Sequence, residues 1–276
     1  MTSRAIGRAH AHARERGVSR GWYAFARAVL TPLVRGWFSV VVEGADNVPE
    51  TGPAIIAPNH KSFMDVFFVG LSTRRHVRFM AKEELFRWPL AWLLVRLGAF
   101  PVRRGEHDEE ALETARVILA GGDVVVVFPE GTRVPDPDVL GAPHHGAGRL
   151  AIETGAPIVP TAIAGTARLW FGPFPKPRRV LVAFRPPLYP PHPPTPDAVS
   201  DLVDRQLWPE VREEYGRLRA TPGVIISVLA TLGLGTGLIT RRQAPPRVVG
   251  VVEPLKFRRR AARARFLDRL RSLWRR

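Results

Sequence analysis

The chain has no cysteine among its 276 residues. This absence excludes a disulfide scaffold, a thiolate zinc site and a cysteine nucleophile. The sequence also lacks a GxxxxGK(S/T) phosphate loop, a GxSxG nucleophile turn, an HExxH zinc helix and a GxGxxG turn between a strand and a helix. The sequence therefore contains none of the motifs that identify these common enzyme classes.

The net charge is close to zero in the middle of the chain and strongly positive at both ends. Residues 1–42 carry seven arginines against one glutamate, and residues 241–276 carry thirteen lysines or arginines against two acidic residues. The remaining middle of the chain has a net charge of −1. Basic ends attract polyanions, either nucleic acid or an anionic bilayer. Because nucleic-acid binding would give the nearly neutral middle no role, we expect an anionic membrane surface as partner and no nucleic acid.

The N-terminal segment, residues 1–42, is predicted to be basic, amphipathic and membrane-associated. Its apolar run, residues 21–34, contains Arg27 and Pro32 and is not followed by a small-residue cleavage site, so it does not match a signal peptide. Its aromatic and aliphatic residues suit the interface of a bilayer. An ordinary amphipathic helix packed on the protein body is the alternative.

Two further segments follow the body at the C-terminal side. Residues 221–240 contain no charge, and as a helix they would be about 30 Å long, close to bilayer thickness. Their four glycines weaken a helix, and we expect a re-entrant, interfacial or protein-packed segment rather than a span. Residues 241–276 are predicted to form a basic amphipathic tail suited to anionic lipid. A solvated tail or a nucleic-acid arm is the alternative.

Between these segments, residues 43–220 form the predicted main domain. Aliphatic strand patterns, the first just before that boundary, alternate with helical patterns, and strands such as VVVVF are apolar on both faces, as in a sheet covered by helices on both sides. The sequence therefore predicts an α/β fold with a mostly parallel central sheet flanked by helices. The predicted strands are 38–42, 54–57, 77–80, 99–102, 124–128, 158–163 and 180–184. The predicted helices are 65–71, 88–97, 108–120, 146–154 and 197–218.

A histidine and an aspartate follow the second predicted strand. A spacing of five on one helix would place His60 and Asp65 about 140° apart, so they can meet only if His60 lies in a loop and Asp65 in the first helical turn. Ser62 is predicted to be the N-cap that starts this helix. An imidazole held by a carboxylate is the part of a site that activates a hydroxyl. An ordinary capping box beside a loop histidine is the alternative.

Basic residues follow three other predicted strands. Arg133 lies in the segment Phe128–Arg133 with Glu130 and Gly131, where a glycine permits close approach of a ligand and an arginine can bind phosphate. Arg103 and Arg104 follow the fourth strand, and Lys82 follows the third. Because the carboxyl ends of strands in an open α/β sheet line one crevice, we expect these cations to lie near His60.

Four sequence blocks in this order resemble the glycerolipid acyltransferases, the superfamily that includes 1-acylglycerol-3-phosphate O-acyltransferase. The resemblance covers about residues 38–190. Its blocks are His60 to Asp65 (HxxxxD), Gly98 to Arg104, Phe128 to Arg133 (FPEGTR) and Gly155 to Pro160. Three positions depart from the family pattern. Arg103 stands where many members have aspartate, Val134 replaces the usual serine, and His145 replaces a frequent lysine.

The resemblance implies a mechanism and a set of site residues. His60 takes the proton of the acceptor hydroxyl as it attacks an acyl thioester, and Asp65 orients the ring. Arg104, Arg133, Lys82 and Arg103 are implied to bind the acceptor phosphate. The remaining implied residues are Asn59, Glu130, Gly131 and Thr132 in the motif loops, and Pro157 and Pro160 on the acyl-donor side or in strand packing.

The implied reaction transfers a fatty acyl group from acyl-CoA or acyl carrier protein to a lysophospholipid, and 1-acyl-sn-glycerol-3-phosphate is the implied acceptor. It needs no cofactor and no metal, because a thioester is already activated. The implied location is the cytoplasmic face of the cell membrane, as a peripheral or monotopic protein. The alternatives are another lysolipid or glycerol-3-phosphate as acceptor, hydrolysis by a water that His60 activates, and a basic module that binds membrane or nucleic acid without catalysis.

Overall fold

A computed structural model describes residues 3–87, 89–103, 108–171, 174–193, 195–221, 223–224 and 240–241. Its main sheet has seven strands in the order β1-β9-β6-β2-β5-β3-β4. These strands are β1 (Ser39–Glu43), β2 (Ala54–Pro58), β3 (Val77–Lys82), β4 (Ala99–Val102), β5 (Val124–Val126), β6 (Ile158–Ala164) and β9 (Arg179–Phe184). The short strands β7 (Trp170–Phe171) and β8 (Phe174–Pro175) pair with each other outside this sheet.

The helices are α1 (Ser3–Glu15), α2 (Arg20–Trp37), α3 (Asp65–Ser72), α4 (Leu90–Arg96), α5 (Glu109–Ala120), α6 (Gly146–Thr154), α7 (Ala198–Ser200) and α8 (Trp208–Ala220). A π-helical segment, Asp201–Leu207, joins the last two. Short 3₁₀ turns cover Ala45–Asn47 and Glu83–Leu85. Further along, Gly223–Val224 (β10) pairs antiparallel with Thr240–Arg241 (β11).

The sheet is mostly parallel, as predicted. Strands β6, β2, β5, β3 and β4 are parallel neighbours, whereas β9 runs antiparallel to β6 and carries β1 parallel to itself. The carboxyl ends of the five parallel strands therefore meet at one edge of the sheet. The amino ends of β9 and β1 lie at that same edge, since Leu181 of β9 pairs with Ala164, the last residue of β6. We call this edge the carboxyl edge.

Strand β2 shows why a continuous apolar run suits the middle of this sheet. Ile55 and Ala57 belong to one buried cluster with residues of α5, α6 and α8, whereas Ala54 and Ile56 belong to a second cluster with residues of α3 and the end of α2. Successive side chains of a strand point to opposite faces, so a strand covered on both sides must be apolar throughout. The protein body thus has three layers, helix, sheet and helix.

Helix α1 lies within the segment 1–42, which was predicted to be amphipathic and helical, but the sequence analysis did not distinguish it as a separate helix. It packs on α5, where His10 Nδ1 and Arg14 Nε lie 2.8 and 2.9 Å from Thr114 Oγ1. Its carbonyl at Ala13 accepts a hydrogen bond of 2.7 Å from the buried Arg78. Residues 3–15 therefore contribute to the protein body through polar contacts as well as through the alanine-lined face of the helix.

Few residues of the two predicted C-terminal segments belong to the described part of the chain. Apart from residues 221, 223–224 and 240–241, the uncharged segment 221–240 and the basic tail 241–276 lie outside the described residues. Within the described part of the chain, none of the helices combines the length and apolarity needed to cross a membrane.

Candidate active site

The loop after β2 places an imidazole against a buried carboxylate. His60 Nδ1 lies 3.0 Å from Oδ2 of Asp65, and the aspartate is fully buried. Only 4% of the His60 side chain is exposed, so a ligand can reach the ring through a small opening alone. With Nδ1 held by the carboxylate, Nε2 is the ring nitrogen left to accept a proton, and it has no hydrogen-bond partner among the described residues.

The aspartate organises the whole loop rather than the histidine alone. Its Oδ2 also accepts hydrogen bonds from the backbone amides of Lys61, at 2.6 Å, and Ser62, at 2.8 Å. The prediction that Ser62 caps α3 is therefore wrong, because the helix begins at Asp65 and its N-cap is Met64. The chain makes one turn before the helix, and this turn lets the carboxylate reach back to the loop amides.

The loop after β5 supports the histidine from the other side. The ring of Phe128 stacks on the His60 imidazole, with centroids 4.0 Å apart and planes inclined by 30°. Glu130 Oε1 accepts the backbone N–H of His60 at 3.1 Å, and the amide of Val134 donates to the His60 carbonyl at 2.8 Å. Because β2 and β5 are neighbours, these two loops form one hydrogen-bonded unit at the carboxyl edge.

Lys61 is a buried cation beside this unit. Its Nζ donates to the carbonyl of Asp136 at 2.9 Å and to that of Val139, and it lies 5.1 Å from the centre of the Tyr215 ring. Burial lowers the pKa of Lys61 to about 8, although the nearby Glu130 charge opposes that change. The ammonium group therefore links the histidine loop to residues 136–139 and to helix α8.

Glu130 is the second buried ionisable group at this place. Burial raises the pKa of its carboxyl group to about 7, and the charge of Lys61 together with the amides of His60 and Gly141 limits the rise. Its two oxygens accept these two amides, which belong to different loops. Glu130, predicted in the substrate loop, thus acts in the structure as a brace between backbone segments.

The rest of the FPEGTR segment faces outward. Gly131 has a φ of +62°, and a Cβ there would meet Cδ2 of His144 at 2.9 Å, so both backbone conformation and space favour glycine. Thr132 and Arg133 are exposed. Among the described residues, the Arg133 guanidinium has no hydrogen-bond or ion-pair partner, which leaves it available for an anionic ligand. Its neighbour Val134 contacts His60 directly, so Arg133 lies beside the histidine loop.

The other predicted phosphate-binding residues follow strands at the same edge. Lys82, the last residue of β3, forms an ion pair of 2.7 Å with Glu84, and both side chains are half exposed. Arg103 follows β4, where its backbone amide and guanidinium contact Asp108 at 2.7 and 3.7 Å. Arg104 lies outside the described residues. Since β2, β5, β3 and β4 are successive neighbours, these cations lie along one edge with His60.

Three predicted site residues are buried in the scaffold. The Asn59 side chain donates to the carbonyl of Ile163 at 3.1 Å and accepts its amide at 2.7 Å. Asn59, predicted in the substrate loop, therefore anchors the histidine loop to β6 through its side chain. Pro157 and Pro160 are also buried, one before β6 and one within it, where Pro160 pairs with Ala57.

The sequence analysis assigned no role to Lys61, Phe128 or Tyr215. Lys61 follows His60 directly and could pass for a solvated charge, because nothing in the local pattern shows that residues 136–139 fold over it. Phe128 was assigned to the end of a strand and to the start of the FPEGTR block, without a role of its own. Tyr215 is about 150 residues away in sequence, on helix α8. These three residues are recognised by their contacts between loops that are distant in sequence. A single sequence does not show such contacts.

The arrangement defines a class of protein. It is an α/β protein with a histidine hydrogen-bonded to a buried carboxylate and a row of cations at one sheet edge, an arrangement that can activate a hydroxyl beside an anion. In the described part of the chain, no three histidine or acidic side chains are grouped so that they could hold a metal ion.

Comparisons with known proteins narrow this class. Residues 39–164 match the family model for acyltransferases. The chain is 31% identical over 146 residues to the 1-acyl-sn-glycerol-3-phosphate acyltransferase of Bacillus subtilis. The matched region is 52% of this chain and 71% of that protein. The crystal structure of the 1-acyl-sn-glycerophosphate acyltransferase PlsC from Thermotoga maritima is similar, with a TM-score of 0.55 and 28% identity over 73% of this chain and 80% of that one. The chain therefore belongs to the acyltransferase family.

Plant relatives are longer than the region they share with this chain. The chloroplast 1-acyl-sn-glycerol-3-phosphate acyltransferase of Arabidopsis thaliana is 31% identical over 137 residues, which are 48% of this chain and 38% of that protein. The corresponding match in Brassica napus is 30% identical and covers 39% of that protein. The chain thus spans about two fifths of the length of these two relatives.

Proposed function

We propose that this protein is an O-acyltransferase that moves a fatty acyl group from an acyl thioester to the free hydroxyl of a lysophospholipid. The observation that carries the proposal is the buried His60–Asp65 pair, 3.0 Å apart at the carboxyl edge of the sheet. Membership of the acyltransferase family supports the reaction class. The basic residues along the same edge support an acceptor that carries phosphate.

The chemistry begins at Nε2 of His60. This nitrogen removes the proton of the acceptor hydroxyl while the oxygen attacks the thioester carbonyl, and the Asp65 carboxylate stabilises the imidazolium that results. When the carbon–sulfur bond breaks, the imidazolium returns the proton to the departing thiolate. Atoms and charge balance without a covalent enzyme intermediate, a metal or a cofactor, because the thioester supplies the activated acyl group.

The acceptor that we favour is 1-acyl-sn-glycerol-3-phosphate, which would become phosphatidate. Arg133 is exposed beside the histidine loop and would bind the acceptor phosphate with two parallel hydrogen bonds. Lys82 and Arg103 would contribute positive potential, and Arg104 keeps the predicted phosphate-binding role. Holding the phosphate fixes the distance between the acceptor hydroxyl and His60, which is an orientation effect. The names of the relatives support this acceptor over another lysolipid or glycerol-3-phosphate.

The donor and the location belong to the same proposal. The donor is acyl-CoA, with acyl carrier protein as the alternative thioester. The protein would act on the cytoplasmic face of the cell membrane, held by its basic and aromatic N-terminal segment on an anionic lipid surface. Both acceptor and product are lipids, so a membrane-associated enzyme would meet its substrate where it resides.

A purified-protein assay tests the proposal. The protein is incubated with acyl-CoA or acyl carrier protein thioester and, separately, with lysophosphatidate, other lysophospholipids and glycerol-3-phosphate, and products are identified by mass. We expect phosphatidate from lysophosphatidate as the main product. Release of free fatty acid without any acceptor product would identify a hydrolase, and transfer to a different acceptor would replace the substrate while keeping the reaction.

A further inference from the structure

The described residues leave a large aromatic surface uncovered. Strands β7 and β8 form a two-stranded ribbon, which we call the aromatic ribbon, with Trp170 paired to Pro175 and Phe171 paired to Phe174. Phe171 is 76% exposed and Phe174 is 70% exposed. Soluble proteins place single apolar side chains on their surface, but adjacent large aromatic ones indicate a binding surface. The sequence analysis assigned these residues no role.

Helix α2 extends this surface. At 100° per residue, its exposed apolar side chains fall within an arc of about 120°, separate from the side that buries Tyr23 and Val34. These exposed side chains are Trp22, Phe25, Val29, Leu33 and Trp37. The helix therefore has two apolar sides: one packs on the protein body, and the other is largely exposed, apart from the contact of Trp22 with Trp92 of α4.

The ribbon and the helix are in direct contact. The indole Nε1 of Trp37, at the end of α2, donates to the carbonyl of Pro175 at 2.8 Å. The next residues of both elements remain together, because the amide of Ser39 donates to the carbonyl of Arg178 at 3.1 Å. The exposed side of α2 and the aromatic ribbon thus form one continuous surface.

The basic residues near the aromatic ribbon in sequence indicate which kind of partner it binds. Residues 165–184 contain Arg168, Lys176, Arg178 and Arg179 and no acidic residue. Lys176 Nζ lies 5.8 Å from the centre of the Phe171 ring. Aromatic side chains surrounded by cations match the interface of an anionic bilayer, where rings lie among the head groups and basic groups meet lipid phosphates.

The ribbon also lies at the edge that carries the candidate active site. It follows the carboxyl end of β6, and Asn59, the neighbour of His60, is hydrogen-bonded to Ile163 near that end. We propose that the aromatic ribbon inserts Phe171 and Phe174 into an anionic bilayer at the edge of the sheet where acyl transfer takes place, and that the exposed side of α2, which runs from this edge toward the amino end of β3, forms the second part of the same lipid contact. The active-site part of this statement rests on the proposed function, whereas insertion itself does not.

The absence of cysteine makes a site-specific test possible in the full-length chain. Phe171→Cys, Phe25→Cys and Tyr189→Cys are each labelled with an environment-sensitive fluorophore and mixed with vesicles of 70% phosphatidylcholine and 30% phosphatidylglycerol. Tyr189 is the matched control, because it is 69% exposed but follows Leu188, which pairs with Ile158 at the amino end of β6 and packs on the buried cluster at the face of the sheet away from α2. We expect a blue shift, and quenching by a lipid-borne quencher, at positions 171 and 25 and not at 189.

The unlabelled variant Phe171→Ser/Phe174→Ser gives a second measurement. It should lower the vesicle partition coefficient at least about tenfold, because two large apolar side chains no longer leave water. A shift at position 25 without one at 171 would overturn insertion of the ribbon. A label at 171 that is already shielded before vesicles are added would also overturn it, since another part of the chain or a second copy then covers the ribbon.

Acyl transfer is measured on the same samples so that the two proposals can fail separately. His60→Ala should bind vesicles like the unsubstituted protein, because the His60 side chain is buried and is not part of the lipid contact. Insertion without any acyl transfer would contradict the proposed function and leave the ribbon inference standing. The Phe171→Ser/Phe174→Ser variant should lose vesicle binding and still acylate a dispersed, short-chain acceptor. This result would support both proposals.

Discussion

Replacing Asp65 by asparagine should damage both stability and catalysis, for reasons that the structure separates. The carboxylate oxygen Oδ2 accepts three hydrogen bonds, from His60 Nδ1 and from the amides of Lys61 and Ser62. The other oxygen, Oδ1, is buried and has no partner among the described residues. Any replacement must therefore fit one strongly bonded position and one buried position without a hydrogen-bond partner among the described residues.

Either orientation of the asparagine amide is unfavourable. If its oxygen stays with the three donors, its NH₂ group occupies the unpartnered position of Asp65 Oδ1, and a buried unsatisfied donor costs about 1–3 kcal/mol. If the amide is reversed, the NH₂ group faces three donors, which is worse. In catalysis, a neutral amide no longer stabilises the imidazolium of His60, and loss of effective base catalysis predicts a fall in kcat of about 10²- to 10⁴-fold.

The measurement combines denaturant unfolding with acyl-transfer kinetics for Asp65→Asn and for a matched control, Asp123→Asn. Asp123 forms an ion pair of 3.0 Å with the buried Arg78 and precedes β5, at the edge of the sheet opposite His60. The control should lose stability and keep its kcat. A folded Asp65→Asn protein with an unchanged kcat would refute the reasoning, because the carboxylate would then have only a structural role.

Three further predictions concern the loops around the site. Arg133→Ala should raise the acceptor KM about tenfold or more with little change in stability, since its charge-assisted contact is made to the substrate alone; Arg205→Ala, also exposed, is the control. Lys61→Met should lower the free energy of unfolding by about 1–3 kcal/mol and slow transfer, because two loop carbonyls lose their donor. Burial raises the pKa of Glu130 from 4.5 to about 7, so the stabilisation that its protonation gives below pH 4.5 should be lost as the pH rises to 7, and Glu130→Gln should flatten that dependence.

Each of these predictions has a distinct contrary result. An unchanged acceptor KM in Arg133→Ala would remove that residue from phosphate binding. Unfolding of Lys61→Met at the same denaturant concentration as the unsubstituted protein would show that the loop does not depend on the buried ammonium group. Identical pH profiles of unfolding for the Glu130→Gln and unsubstituted proteins would show that the carboxyl group does not titrate in this range.

The sheet could be predicted because its strands are apolar on both faces. Ile55 and Ile56 point to opposite helical layers, and only a fully apolar run satisfies both of them. Helix α1 was missed for the opposite reason, since it is polar on average and packs partly through His10 and Arg14 on Thr114. Such contacts across the fold leave no periodic apolar pattern in a basic N-terminal segment.

The candidate site was predicted only as far as local spacing reaches. The separation of five residues between His60 and Asp65 correctly required a loop followed by a helical turn. The local spacing wrongly placed the N-cap of α3 at Ser62, because it did not account for the hydrogen bonds that Asp65 accepts from the preceding loop amides. The Lys61 contacts to residues 136–139 and the Glu130 brace depend on how three loops fold over one another, which no local pattern contains.

The central claim is that the Nε2 nitrogen of His60 accepts the proton of the acceptor hydroxyl. The most direct measurement is the rate of phosphatidate formation from lysophosphatidate and acyl-CoA by purified His60→Ala, compared with the unsubstituted protein at matched folded concentration. We expect a rate at least about 10²-fold lower, with the unfolding transition largely retained. A folded His60→Ala protein that forms phosphatidate at the unsubstituted rate would contradict the claim.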